Sequence, residues 1–491
     1  MNKPIEQEAR LRQVTHGLWP TSASSLLLPL VCLLPVLLYL PILAAPFDRD
    51  EGVYSTLAQG ILRGELPYRD LFDHKTPLVY LWYALSFLLL GEHLAAPRIL
   101  AALASTATTY LVFQQSRAFY DSKTAYISAA LFAASTCFVA LSALANTEVF
   151  MLLPLVASVL AYTTGLRTHG MRWFLLSGIL LGLAIMTKQV AIWNLLALAA
   201  FLPLWSLGRS DTHWCRALLM LTCGSGLVLA ATIAAFTLFG ALDDFLYANW
   251  TYNTLYARHL AFTHRMSLTI WSIAIAFVIT APLTVLAGVG LKSIAKKRKI
   301  DIASLIAFCL VASFLGAITS GYGFLHYFVP LGPFAAIIGA PVLLTLRPRP
   351  TPALAVAIAL TTASFLVNAA FYSSWQRVDE TRLLGRYLEA RTESGQTIYN
   401  FGHESQLYFY SDRRPAARIF YNQPFIFDEV TLQVTLSELK ARKPAYVVDT
   451  TVEPSETLIA TMTAGFHRFL DENYEYEGRL YSADIYRLKT Q

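Results

Sequence analysis

Residues 47–82, "FDRDEGVYSTLAQGILRGELPYRDLFDHKTPLVYLW", follow directly on an apolar run from Leu26 to Ala45. A run of about this length crosses a bilayer, so Asp48, Asp50, Glu51, Asp73, His74 and Lys75 are placed at a water–lipid boundary. Ionisable groups at such a boundary are costly to desolvate and read first as functional. The same stretch decides the topology. Its apolar end, Pro77 to Gly91, has about fifteen residues and is short for a full crossing. If it stays on the outer side, Arg117 and Lys123, Arg167 and Arg172, Arg209 and Arg216, the run "KSIAKKRK" from Lys292, and Arg347 and Arg349 all fall in cytoplasmic loops, as the positive-inside rule requires. If it crosses, Glu148 moves to the face opposite Asp50. We therefore read Pro77–Gly91 as a juxtamembrane or re-entrant helix, buried in protein within one long outer loop.

The rest of the chain agrees with a membrane setting. Of 491 residues, 55% are hydrophobic and only 14% charged, which is too apolar for an ordinary soluble domain. Further spanning runs are expected at Pro97–Ser116, Thr124–Ser142, Val149–Gly165, Arg172–Thr187, Gln189–Leu207, Ala217–Phe239, Thr269–Leu291, Ile302–Ser320, Tyr327–Leu346 and Pro352–Phe371, giving about eleven spans. Residues 1–25 are polar and basic and read as a cytoplasmic segment before a retained first span. An odd number of spans puts the carboxyl terminus outside. From about residue 372 the composition becomes that of a soluble domain, with helical patterns at Asp379–Glu393 and Thr431–Arg442 and strands in "TIYNFG" and "AYVVDTT". The expected fold class is an all-α multi-pass membrane domain (26–371) with a small α/β domain (372–491) on the outer face.

Several function classes are excluded. The net charge of +6 is spread through short loops, where membrane orientation accounts for it, so nucleic acid is not a partner. Cys32, Cys137, Cys215, Cys223 and Cys309 lack the spacing of a zinc site or disulfide framework. No fixed-period repeat, dinucleotide-binding glycine pattern or phosphate-binding P-loop occurs.

With this topology the outer loops gather the unusual polar groups: "DRDEG" and "DHKTP" in the first, "NTE" from Asn146 to Glu148 in the second, then Lys188, the "LDDFLYANWTYNTLYARHLAFTHR" loop and "GYGFLHYFVP". A sugar carried on a polyprenyl phosphate presents its phosphate and sugar at this interface. Transfer to a hydroxyl needs a base at the acceptor and positive charge on the departing phosphate. A carboxylate meets the first demand; lysine, arginine or a divalent cation held by carboxylate and imidazole meets the second.

The ordered segments "RDEGVYSTLAQGILRGELPYRDLFDHKTPLVYLWYALSFLLLGEHLAAPRIL", "NTEVFMLLPLVASVLAY", "GLAIMTKQVA" and "HYFVPLGPFAAIIGA" resemble the family of protein O-mannosyltransferases and lipid A aminoarabinose transferases (ArnT-like enzymes). These are GT-C-type membrane enzymes that use polyprenyl-phosphate sugars. The resemblance covers Leu26 to Leu346 and implies a bacterial inner-membrane glycosyltransferase using undecaprenyl-phosphate sugar, with a lipid, glycan or protein acceptor, active at the periplasmic face. It makes Asp50 the catalytic base of an inverting single displacement, with Glu51 beside it and Tyr54 one helical turn on. It matches Lys75 and Tyr327 to donor-phosphate contacts and Glu148 to an acidic position of the second outer loop. His74 stands where aminoarabinose transferases tend to have glutamate, so His74 and Glu148 are the candidate ligands of one divalent cation.

Each assignment has a structural competitor. Acids before a first helical turn also cap helices, and Lys75 can snorkel at the interface. Lys188 either lines the cavity or ends a helix, and His326 either faces the cavity or is a satisfied interfacial histidine. Arg258 becomes a second phosphate contact if its loop folds over the cavity. The alternative function is a transporter or flippase of lipid-linked sugars, which would place charges near the bilayer midplane and tend to show internal repeats.

Overall fold

In the computed structural model, residues 26–135, 145–207, 213–259, 261–296, 300–345, 379–426, 429–451 and 457–489 are described. The expected cytoplasmic segment 1–25 and the expected span Pro352–Phe371 lie outside them. Among the described residues, five helices are long and apolar enough to cross a membrane: Ala95–Arg117, Thr147–Thr168, Gln189–Ser206, Trp214–Leu238 and Leu325–Thr345. Shorter apolar helices occupy Leu27–Ile42, Leu78–Leu90, Met171–Thr187, Ala281–Ala295 and Ile302–Ile318. The two helices Met171–Thr187 and Trp214–Leu238 meet through small residues. A Cβ on Gly178 would lie 2.1 Å from the Leu221 carbonyl, so glycine lets the backbones touch, as apolar helices require where no water drives them together.

One expected span is different. Thr269–Leu291 is not a single helix but the end of Phe262–Ile279 and the start of Ala281–Ala295, separated at Thr280 with Pro282 in the first turn of the second helix. Proline lacks a backbone donor and suits a first turn, so a continuous apolar run conceals a helix break. Before it, the helices Leu242–His259 and Phe262–Val278 meet at 91°.

Two helices lie between Leu27–Ile42 and Ala95–Arg117, and the first of them, Arg49–Leu62, forms part of the site's floor. Arg49–Leu62 begins with a reciprocal capping box: Asp48 Oδ1 accepts from the Glu51 amide at 2.8 Å and Glu51 Oε2 from the Asp48 amide at 3.2 Å. Leu78–Leu90 starts immediately after Pro77 and packs on Arg49–Leu62 and Ala95–Arg117. It is a separate short apolar helix, shorter than the helices long enough to cross a membrane.

The carboxyl-terminal unit is a five-stranded sheet ordered β2-β1-β3-β5-β4, where β1 is Thr397–Phe401, β2 Arg414–Pro415, β3 Tyr446–Asp449, β4 Tyr474–Leu480 and β5 Ala483–Leu488. The first three strands are parallel and the β4–β5 hairpin is antiparallel. The expected helices appear as Glu380–Glu389 and Glu429–Arg442, and the two expected strands as β1 and β3. This unit sits directly on the Arg49–Leu62 helix. The Phe47 amide donates to Tyr410 Oη at 2.8 Å, Ser405 Oγ donates to the Arg49 carbonyl at 2.9 Å, and a Cβ on Gly52 would lie 2.4 Å from the Gln406 amide nitrogen.

Candidate active site

Between this sheet domain and the membrane helices lies a cavity of about 990 Å³, lined among others by Asp50, Asp73, His74, Lys75, Asn146 and Tyr256. His326 and Tyr327 complete the wall on the membrane side; His403, Glu404 and Gln406 do so on the sheet-domain side. Asp50 occupies the first turn of its helix. One oxygen, Oδ2, receives two long contacts, from Tyr54 Oη at 3.4 Å and from Asn146 Nδ2 at 3.5 Å. Among the described residues nothing donates to its other oxygen, which leaves a carboxylate oriented from behind and free in front.

Glu51, its neighbour, has a different fate. Arg98 is fully buried and binds Glu51 through Nη2 at 2.6 Å and Nε at 3.1 Å, while its remaining donors take the carbonyls of Ile42, Leu43, Ala45 and Pro46. Glu51 therefore ties the end of the first apolar helix to the next, and it does not line the cavity. A fully buried guanidinium needs such a partner to offset its desolvation. Arg98, which sequence reasoning passed over, was visible as an arginine near the start of an apolar run.

Lys75 enters the cavity wall from a pinned backbone. Its carbonyl accepts from Tyr68 Oη at 2.7 Å and Tyr80 Oη at 3.1 Å, and the His74 carbonyl from Asn253 Nδ2 at 2.9 Å. Its Nζ lies 2.9 Å from His74 Nε2, its one hydrogen-bond partner among the described residues. His74 Nδ1 in turn lies 3.2 Å from Asp73 Oδ1, an ion-pair approach without hydrogen-bond alignment. Asp73 is held on both oxygens, by Tyr421 Oη at 3.0 Å and Tyr80 Oη at 2.9 Å. Burial is the largest influence on all three groups and opposes charge. It is overcome at Asp73, where His74 and Lys75 hold the carboxyl well below its usual range. It is overcome again at Lys75, where Asp50 and Asp73 hold the ammonium above its usual value. At His74 burial wins, and Lys75 adds to it, so the imidazole is held neutral. The sequence therefore sets carboxylate, neutral imidazole and ammonium in succession.

Glu148 and Lys188 form a second arrangement. Both are buried, Lys188 Nζ contacts Glu148 Oε1 directly, and Thr147 Oγ1 donates to Glu148 Oε2 at 2.7 Å. His326 Nε2 lies 3.8 Å from Glu148 Oε1, and Lys188 Nζ stands 4.1 Å over the Tyr327 ring. Glu148 and Lys188 sit behind the wall that His326 and Tyr327 present. Arg258 is exposed and outside the lining; the aromatic Tyr256 of the same helix takes that place. Asp73 was singled out without a role, and Asn146 and Tyr256 each lie two positions from a residue given one, Glu148 and Arg258. Tyr421 carries no local signal, since it meets Asp73 across 348 positions.

This donor set does not fit a divalent cation. His74 Nε2 is spent on an ammonium, Glu148 is closed by Lys188 and Thr147, and no three His, Cys, Asp or Glu side chains converge among the described residues.

Residues 74–236 match the family model for dolichyl-phosphate-mannose-protein mannosyltransferase. Among solved structures, ArnT from Cupriavidus metallidurans matches in its apo state with a TM-score of 0.66 at 14% identity, and bound to undecaprenyl phosphate with 0.62 at 12%. Each covers 96% of this chain and 100% of the other. The chain has the GT-C fold of these structures. The Archaeoglobus fulgidus oligosaccharyltransferase, tethered with an acceptor peptide, shares this GT-C fold with a TM-score of 0.52 at 12% identity, over 94% of this chain and 74% of that one. No curated protein matches in sequence. The resemblance read from the ordered segments holds at the level of the GT-C fold: apolar helices, a polar segment after the first of them and a small sheet domain. Five helices among the described residues are long and apolar enough to cross a membrane, in keeping with that fold.

Proposed function

We propose that this protein transfers a sugar from a polyprenyl-phosphate carrier to an acceptor hydroxyl by a single inverting displacement at the outer face of the bacterial inner membrane. The observation that carries the reading is that Asp50 and Lys75 open onto one cavity with an apolar cavity adjoining it. A second cavity of about 360 Å³, lined by residues such as Phe132, Leu152, Phe277 and Leu283, shares Leu325 with the first. A lipid-phosphate sugar has this division: a hydrocarbon tail for the second cavity and a charged head for the first. ArnT was solved with undecaprenyl phosphate, the donor class proposed here.

Asp50 takes the acceptor proton through its free oxygen while Tyr54 and Asn146 fix the other. The acceptor oxygen attacks the anomeric carbon from the side opposite the phosphate, and the phosphate leaves as an anion that Lys75 stabilises. The departing group needs no proton, so one base suffices. Tyr327 and His326 border the donor end; Glu148 and Lys188 hold that wall in shape. The sheet domain closes the acceptor end with Glu404, Gln406 and neighbouring polar groups. No step uses a metal.

A comparison of lipids and glycans from cells with and without the protein tests this reading. Loss of a single sugar decoration together with accumulation of its lipid-linked donor is expected. Unchanged glycans with a donor trapped on the cytoplasmic side would instead indicate transport.

A further inference from the structure

Asp73, His74 and Lys75 are consecutive, yet their side chains form a spatial chain that continues into the other domain through Tyr421. We propose that His74 is a positioning residue which keeps the Lys75 ammonium available for the donor phosphate by standing between it and Asp73, and that Tyr421 ties this setting to the sheet domain. The inference rests on the function proposed above.

The geometry supports it at each link. An ammonium in contact with a carboxylate is largely neutralised, as Lys188 is by Glu148. Lys75 instead donates one of its three N–H groups to the lone pair of a neutral imidazole, so its full charge and two donors remain for a phosphate. Asp73 supplies the field that keeps the proton on Lys75 and on His74 Nδ1, and it cannot swing to Lys75 because Tyr421 and Tyr80 each hold one of its oxygens. The imidazole is packed against the rings of Tyr252 and Tyr256, with centroids 5.3 and 5.2 Å away. Tyr252 belongs to a six-residue π-helical segment, Tyr247–Tyr252, a rare feature frequent at functional sites. In this arrangement positive charge on the departing phosphate comes from Lys75 itself, and the position that would hold a metal ligand holds a spacer.

The test uses full-length protein in detergent, with undecaprenyl phosphate and the uncharged undecaprenol as probes. The readout is the ratio of their affinities, which a merely structural defect would not change selectively. The wild type is expected to prefer the phosphate by about tenfold or more, about the value of one charge-assisted hydrogen bond, and to keep that preference in excess chelator. His74→Ala is expected to lose most of it, because Lys75 can then collapse onto Asp73. His74→Gln, which retains an acceptor for Lys75, is expected to stay within about threefold of wild type. Tyr421→Phe is expected to fall between them. His74→Ala with wild-type preference while Lys75→Met has lost it would overturn the positioning role, as would a preference that disappears on chelation. A wild type without preference would overturn the donor reading itself and this inference with it; the two failures are thus distinct.

Discussion

Two buried lysines, one in the cavity wall and one behind it, are treated in opposite ways. Lys188 is buried against Glu148, with Thr147 closing the other carboxylate oxygen. Lys75 reaches a carboxylate only through His74 and faces open space. The first pair is a structural closure of charge; the second keeps charge available. The acids repeat the contrast one residue apart, since Glu51 is consumed by Arg98 whereas Asp50 keeps one oxygen free. Proximity of acids and bases in sequence thus says little about function. The number of partners each has already taken says much more.

The contrast can be broken most easily at its closed end. Glu148→Gln leaves a buried ammonium without its counter-charge and is expected to cost about 3–5 kcal/mol of stability, read as a large drop in melting temperature in detergent. An unchanged melt would mean that Glu148 does not hold Lys188. At the open end, Lys75→Met is expected to weaken undecaprenyl-phosphate binding by an amount equivalent to about 1.5–3 kcal/mol, with a melting temperature close to wild type. A stability loss as large as that of Glu148→Gln would erase the distinction between the two lysines.

A smaller effect probes the sheet domain as the cavity's other wall. Gly52→Ala places a Cβ against the Gln406 backbone and is expected to cost about 1–3 kcal/mol through overpacking. Limited proteolysis should then release the sheet domain sooner, whereas unaltered cleavage would show that its seat on the Arg49–Leu62 helix is loose. The smallest effect concerns pH. His403, on the same wall, is held at about 4, below its usual 6.5, by burial first and the nearby Arg49 charge second. A depressed pKa stabilises the fold above the unfolded value, and that contribution disappears as pH falls from about 6.5 through about 4. Glu404, salt-bridged to Arg49 at 3.3 Å, faces the same groups. His403→Gln should therefore flatten the melting-temperature decline between these pH values, and an identical decline in both proteins would contradict the assignment.

Much of this architecture is legible in the sequence because hydrophobic run length and loop charge respond to the same bilayer. The short Leu78–Leu90 helix is legible because its apolar run, bounded by Pro77 and Gly91, is too short for a full crossing. The break at Thr280 is harder to see, since both sides of it are equally apolar and Pro282 is its main trace. The β4–β5 hairpin is masked by exposed, charged strands and a register shift near Gly478. At the site, residue types point to Asp50 and Lys75, but not to their availability. That depends on Arg98, Tyr421 and Asn146, which arrive from distant segments, and on Asp73, whose role appears only once its two tyrosines are in place.

The most direct test is Asp50→Asn, introduced into cells lacking the protein and followed by sugar transfer in isolated membranes. Asparagine preserves the contacts of Tyr54 and Asn146 in shape but cannot accept the proton. Transfer is expected to fall by about 10²–10⁴-fold, with undecaprenyl-phosphate binding and melting temperature near wild type. Transfer within a few fold of wild type would contradict the account at its centre.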